Sequence, residues 1–241
     1  MKSAKDKLII ALDVDTADRA WQLFEALRAF AGMFKIGPQL FTAAGPNFVR
    51  QIIARGGRVF LDLKFHDIPN TVAAAGVEAA RLGVSIFNVH ASGGTEMMKR
   101  TADAVAGAAS REGLTKPSII AVTMLTSLDR EALNKVGVNK EPYLMVKTLA
   151  RAAYDSGLDG VVASPREIEI VRKEIDSPGF IVVTPGIRPS HAPPDDQRRL
   201  MTPSEAIRAG ANYIVVGRPV LNAADPVAAA QALIEEMETA G

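Results

Sequence analysis

Val59-Phe60-Leu61-Asp62-Leu63-Lys64-Phe65-His66-Asp67-Ile68-Pro69-Asn70-Thr71 begins as an apolar strand and ends in an acid, a base and another acid. Side chains alternate faces along a strand, so Asp62 and Lys64 share one face and Leu61 and Leu63 the other. Packing alone gives an apolar strand no reason to carry two charges at its end. Unpaired buried charge is costly, so an end of this kind is either paired or functional.

Outward from this stretch the chain alternates strand and helix. Short apolar, mostly β-branched runs occur at Leu8–Leu12, Met33–Ile36, Arg58–Lys64, Ser85–Val89, Ser118–Val122, Gly160–Val162, Phe180–Thr184 and Tyr213–Val216. Between them lie segments of helical spacing: Trp21, Phe24, Leu27 and Phe30 form one stripe, and Met145, Leu149 and Ala152 another. Gly56-Gly57, Gly83, Gly157 and Gly210 are helix-stop signals ahead of strands. Eight strands alternating with helices, with no linker or composition break, predict one α/β domain over residues 1–241, a single (β/α)8 TIM barrel rather than an open sheet.

In such a barrel the chemistry gathers where the strands end. Those ends are polar here: Asp13, Lys35, Asp62 with Lys64, His90, Thr123 to Thr126, Ser164, Arg188 and Arg218. Parity agrees, since Ile9, Ala11 and Asp13 share a face, as do Met33 and Lys35, and Phe60, Asp62 and Lys64. Three strands can therefore aim charge into one mouth. The longest irregular stretch, Thr184 to Thr202, is rich in Pro and charge and reads as a lid or binding loop.

Composition removes several classes of function. A net charge of +1 and the lack of a basic run give no electrostatic case for nucleic acid or an anionic membrane. With no cysteine, disulfides, thiolate catalysis and Cys-bound zinc are out. No apolar run approaches a membrane span, and no secretory h-region follows the charged Met1 to Lys7 segment, so a soluble cytoplasmic protein is expected. His66, His90 and His191 form no metal-binding pattern, and Gly93-Gly94 carries no dinucleotide fingerprint.

Asp62, Lys64, Asp67 and Lys35 compose an alternating acid–base array. It reads either as a structural ion-pair cluster or as a proton-handling site; charges converging from separate strands favour the second. Flanking carboxylates keep Lys64 protonated, which suits a proton donor better than a Schiff base, for which the amine must be neutral. Val215-Val216-Gly217-Arg218-Pro219 combines a glycine for close backbone approach, a guanidinium fork and a helix-starting proline. By itself it is also a plain strand-to-helix turn. Beside Thr184-Pro185-Gly186-Ile187-Arg188, after the preceding strand, it reads as a phosphate site. Thr123-Met124-Leu125-Thr126-Ser127 could read a polar heterocycle or cap the next helix.

The residues at these positions resemble the orotidine 5′-phosphate decarboxylase family in its bacterial form. The resemblance rests on Ala11-Leu12-Asp13, Phe34-Lys35-Ile36-Gly37, Phe60 through Pro69, Asn88-Val89-His90-Ala91, Ala121 through Ser127, Thr184 through Arg188, Asp196-Gln197 and Val215 through Arg218. It implies a cofactor-independent carboxy-lyase, with no metal, converting orotidine 5′-phosphate to UMP and CO2 in the last step of UMP biosynthesis. Lys64 is implied as the acid that protonates C6 and Asp62 as the neighbour of the substrate carboxylate. Asp67 is implied to cross from the partner of a homodimer and complete the array with Lys35. Asp13 and Lys35 are implied at the ribose, with Thr71 from the partner; Thr126 at the pyrimidine; Arg188, Gln197, Gly217 and Arg218 at the phosphate. Two rivals carry different tests. Metal-dependent sugar-phosphate enzymes share Asp62, Lys64 and Asp67 but carry an acid where Lys35 stands, and chelation would abolish their activity. A silent nucleotide- or protein-binding barrel would not need the charged array.

Overall fold

A computed structural model describes residues 3–125, 130–189 and 201–239. Its strands are β1 (Leu8–Ala11), β2 (Met33–Ile36), β3 (Val59–Phe65), β4 (Ile86–His90), β5 (Ser118–Val122), β6 (Gly160–Val162), β7 (Ile181–Thr184) and β8 (Tyr213–Val216). They close into a parallel barrel in sequence order, with β8 paired to β1. All eight match the strands expected from sequence, with ends displaced by one residue at most.

The barrel has two apolar layers. Ile9, Met33, Phe60, Ile86, Ile120, Val183 and Tyr213 fill the interior, while Ile10, Phe34, Leu61, Phe87 and Val182 face outward under the helices. Phe60 inward and Leu61 outward is the parity that sends Asp62 to the mouth. Burying a side chain such as Phe34 or Phe87 contributes about 1.5–3 kcal/mol. Gly160 lies at a close inter-strand approach: a Cβ there would lie 2.2 Å from the Ile181 carbonyl oxygen, so a side chain would force β6 off β7.

The helix-stop glycines behave as expected, and Gly83 caps the helix Pro69–Leu82 at φ 81°, a left-handed conformation open to glycine at little cost. Two helical stripes need correction. The helix carrying Trp21 ends at Leu27, so Phe30 lies beyond it in a turn and packs on the core from there. In the helix Pro142–Asp155 the buried line is Val146, Ala150 and Ala153, one residue on from Met145, Leu149 and Ala152, which are only partly covered. One residue is about 100° of helical rotation, and the small side chains let this helix sit close to the sheet.

Candidate active site

The polar strand ends meet. Asp62 on β3 is buried and its carboxylate is fully engaged. Oδ1 accepts from Lys64 Nζ at 2.7 Å and from Asn88 Nδ2 at 2.7 Å, and Oδ2 pairs with Lys35 Nζ at 3.2 Å. Lys35, at the end of β2, also donates to Asp13 Oδ1 at 2.8 Å. Asp13, Lys35, Asp62 and Lys64 thus form one continuous chain of opposite charges across three strands. Burial pushes Lys35 down, but the carboxylates of Asp62 and Asp13 outweigh it and hold the ammonium above its ordinary range.

Gly37 makes room for this chain. It precedes Pro38 at the start of the helix Pro38–Ala54, and a Cβ on it would lie 3.2 Å from both Asp13 Oδ1 and Lys35 Nζ.

Lys64 does not occupy a regular strand position. Its φ is +53°, the one positive φ at a non-glycine residue among those described. The β3–β4 register slips at this point. Leu61 pairs with Phe87 and Phe65 with Val89, so four steps on β3 answer two on β4. A bulge of this kind leaves a backbone amide without its ladder partner. The Lys64 N–H instead donates to Asn88 Oδ1 at 2.8 Å. Simple alternation therefore finds the right pair of charges, whereas their contact rests on a bulge. Asn88, fully buried on β4, is a site residue to which sequence reasoning assigned no role. Its signal was a lone amide in the apolar run Ile86-Phe87-Asn88-Val89, in phase with the inward Ile86.

His90, two residues on, lies beside Lys64, and its ring stacks on His66 with centroids 5.3 Å apart. Desolvation, then the nearby His66 and Lys64, pushes His90 below its ordinary value of 6.5. The neutral ring is thus favoured by folding, so its contribution is present above about pH 6.5 and lost as pH falls through the lower folded value. We expect His90→Gln to flatten the acid side of the stability curve, measured as the urea midpoint between about pH 7 and 5. An unchanged acid slope would mean that other groups control it.

The phosphate-type turns follow β7 and β8, and β8 is the neighbour of β1. Arg188, Gly217 and Arg218 line a cavity of about 430 Å³ together with Asp13 and Lys35, so it runs directly into the charged chain. Arg19, at the start of the helix Ala17–Leu27, lines it too and was not anticipated. Three guanidinium groups around one cavity create a field suited to an anion. The ends of the long loop are tied: Ile187 bridges Met201, and Arg188 N donates to Met201 O at 3.1 Å. Thr126 and Gln197 lie outside the described residues.

Asp67 and Thr71 stand apart from this cluster. Asp67 is exposed, and its Oδ1 accepts from the Ile68 amide at 2.6 Å. Thr71 is exposed in the first turn of the helix that follows, and Ile68 between them is 66% exposed.

A (β/α)8 barrel with a lysine–carboxylate chain at its mouth, opening onto an arginine-lined cavity, defines a class of enzyme acting on small phosphorylated substrates. Comparison with known proteins narrows the class. Residues 6–233 match the model of the orotidine 5′-phosphate decarboxylase / HUMPS family. An orotidine 5′-phosphate decarboxylase of Moorella thermoacetica is 55% identical over 236 residues, covering 98% of this chain and 93% of its own. One from Syntrophotalea carbinolica is 52% identical over 237 residues, covering 98% and 97%. The crystal structure of orotidine 5′-phosphate decarboxylase from Lactobacillus acidophilus superposes with a TM-score of 0.84 at 37% identity, covering 95% of this chain and 98% of that one. The chain belongs to the orotidine 5′-phosphate decarboxylase / HUMPS family.

Proposed function

We propose that the protein decarboxylates orotidine 5′-phosphate to UMP and CO2, the last step of UMP synthesis, and does so in the cytoplasm. The observation that carries this reading is the unbroken Asp13–Lys35–Asp62–Lys64 chain beside the arginine-lined cavity. Arg188, Gly217 and Arg218 bind the phosphate with Gln197. Asp13 and Lys35 bind the ribose, and Thr126 contacts the base. Departure of CO2 leaves an electron pair on C6 with no adjacent carbonyl to receive it. The Lys64 ammonium stabilises that charge as it develops and then transfers its proton to C6. Asp62 lies beside the substrate carboxylate and disfavours it relative to neutral CO2. Phosphate binding far from C6 supplies binding energy to the chemical step.

Two copies of the chain form the working unit. Asp67 and Thr71 are exposed within one subunit and unused by its own cluster, which supports their service in the partner's site.

The alternative is metal-assisted chemistry on a sugar phosphate. The Lys35 ammonium already bridges Asp13 and Asp62, the two carboxylates a divalent ion would need there, and repels such an ion. The deciding experiment incubates the pure protein with orotidine 5′-phosphate and excess EDTA and follows the ultraviolet change to UMP. Full turnover is the expected result. No conversion, with or without added magnesium, would reject the decarboxylase reading.

A further inference from the structure

We propose that Asn88 is a positioning residue for the reaction: it holds the Lys64 backbone in its left-handed bulge and thereby sets where the ammonium is delivered. The proposal rests on the decarboxylase reading above.

Asn88 has no exposed surface, and its amide is used from both ends. Oδ1 takes the Lys64 N–H at 2.8 Å, and Nδ2 donates to Asp62 Oδ1 at 2.7 Å. The partners fix the orientation of the amide, because an N–H requires an acceptor and a carboxylate requires a donor. The oxygen of Asp62 that receives Asn88 is the same one that receives Lys64 Nζ. One side chain therefore contacts the lysine at its backbone and the carboxylate that fixes the lysine's tip. A left-handed conformation is unfavourable for a residue with a Cβ and persists only where its surroundings over-determine it. Here the register slip supplies the slack and Asn88 supplies the bond. Without that bond the partly buried Lys64 amide loses its acceptor, and β3 gains by relaxing toward a regular strand. The ammonium would then leave the place where C6 is to be protonated, and nucleotide contacts elsewhere in the site would stay intact.

Two variants separate positioning from simple support. Asn88→Ala removes both bonds. Asn88→Asp is nearly isosteric and keeps an acceptor for the Lys64 N–H, but turns a second carboxyl oxygen toward Asp62. The charged groups around this point are Asp62 and Lys64 on β3, Lys35 on β2, Asp13 beyond β1 and His90 on β4. The new carboxyl serves Asp62 as a donor only when protonated, so activity of this variant relative to wild type should rise as pH falls. We expect kcat for orotidine 5′-phosphate to fall roughly 100-fold in both at neutral pH, with UMP affinity within about threefold of wild type. An acid-shifted optimum should appear in Asn88→Asp alone.

A readout without substrate accompanies these. Hydrogen exchange of the Lys64 backbone amide should be faster in Asn88→Ala than in wild type, because its acceptor is gone. Wild-type kcat and pH optimum in the variants would overturn the proposal, as would an unaltered pH profile with kcat and UMP affinity falling together. If Asn88→Ala does not fold, Asn88→Asp decides the matter. Failure of the wild-type protein to convert orotidine 5′-phosphate would instead defeat the functional reading, and exchange of the Lys64 amide would still test the contact.

Discussion

Lys64→Ala should reduce decarboxylation of orotidine 5′-phosphate by at least about 10⁴-fold while leaving UMP affinity within a few-fold. A positioned proton donor contributes roughly 10²–10⁴, and a fixed cation at a developing carbanion roughly 10²–10³ more. Both are lost with one side chain. The fold should survive, because Asp62 keeps Lys35 and Asn88 as partners, and the Lys64 side chain is already 31% exposed. Steady-state kinetics and calorimetric titration with UMP measure the two halves of this prediction. Turnover close to wild type would remove Lys64 from the chemistry, and equal loss of UMP binding would make it a binding residue.

The second large effect is a recovery. Asp67→Asn and Lys64→Ala homodimers should each be nearly inactive if Asp67 serves the partner's site. Mixed under subunit exchange, half of the dimers become hybrids at equilibrium. In each hybrid one site draws Lys64 and Asp67 from the two different chains in wild-type form, and the other site lacks both. About a quarter of wild-type activity should therefore return. Native mass spectrometry of labelled subunits would establish exchange, and activity that stays flat after exchange would confine each site to one chain. The geometry of a single chain motivates the test: Asp67 is exposed and, among the described residues, bonded only to its neighbour's amide, while Ile68 presents an uncovered apolar side chain next to it.

Much of this was legible in the sequence because the signals are local. Short apolar, mostly β-branched runs located all eight strands, and parity from Phe60 to Asp62 and from Met33 to Lys35 sent the charges to one mouth. Parity could not foresee the bulge. A register slip depends on the neighbouring strand, and nothing in Asp62-Leu63-Lys64 distinguishes a left-handed lysine from an extended one. Asn88 escaped for a related reason: one amide in an apolar strand has meaning only beside the backbone it caps. Arg19 escaped because it lies on a helix and not at a strand end, and the helix start brings it to the cavity. The shift of the buried line from Met145, Leu149 and Ala152 to Val146, Ala150 and Ala153 shows the same limit: apolar side chains mark a helix, but packing distance selects which face is closest.

The irregularity at Lys64 has a bearing on protein design. It is confined between Leu61 and Phe65, and both are back in the ladder on either side. The reactive lysine is therefore carried by a short insert in an otherwise uninterrupted barrel. Grafting an Asp-x-Lys pair onto an ordinary strand of another barrel would transplant the side chains without their aim. The portable unit is larger: the pair, the two surplus residues that let the chain arch, and an asparagine at the facing position of the next strand.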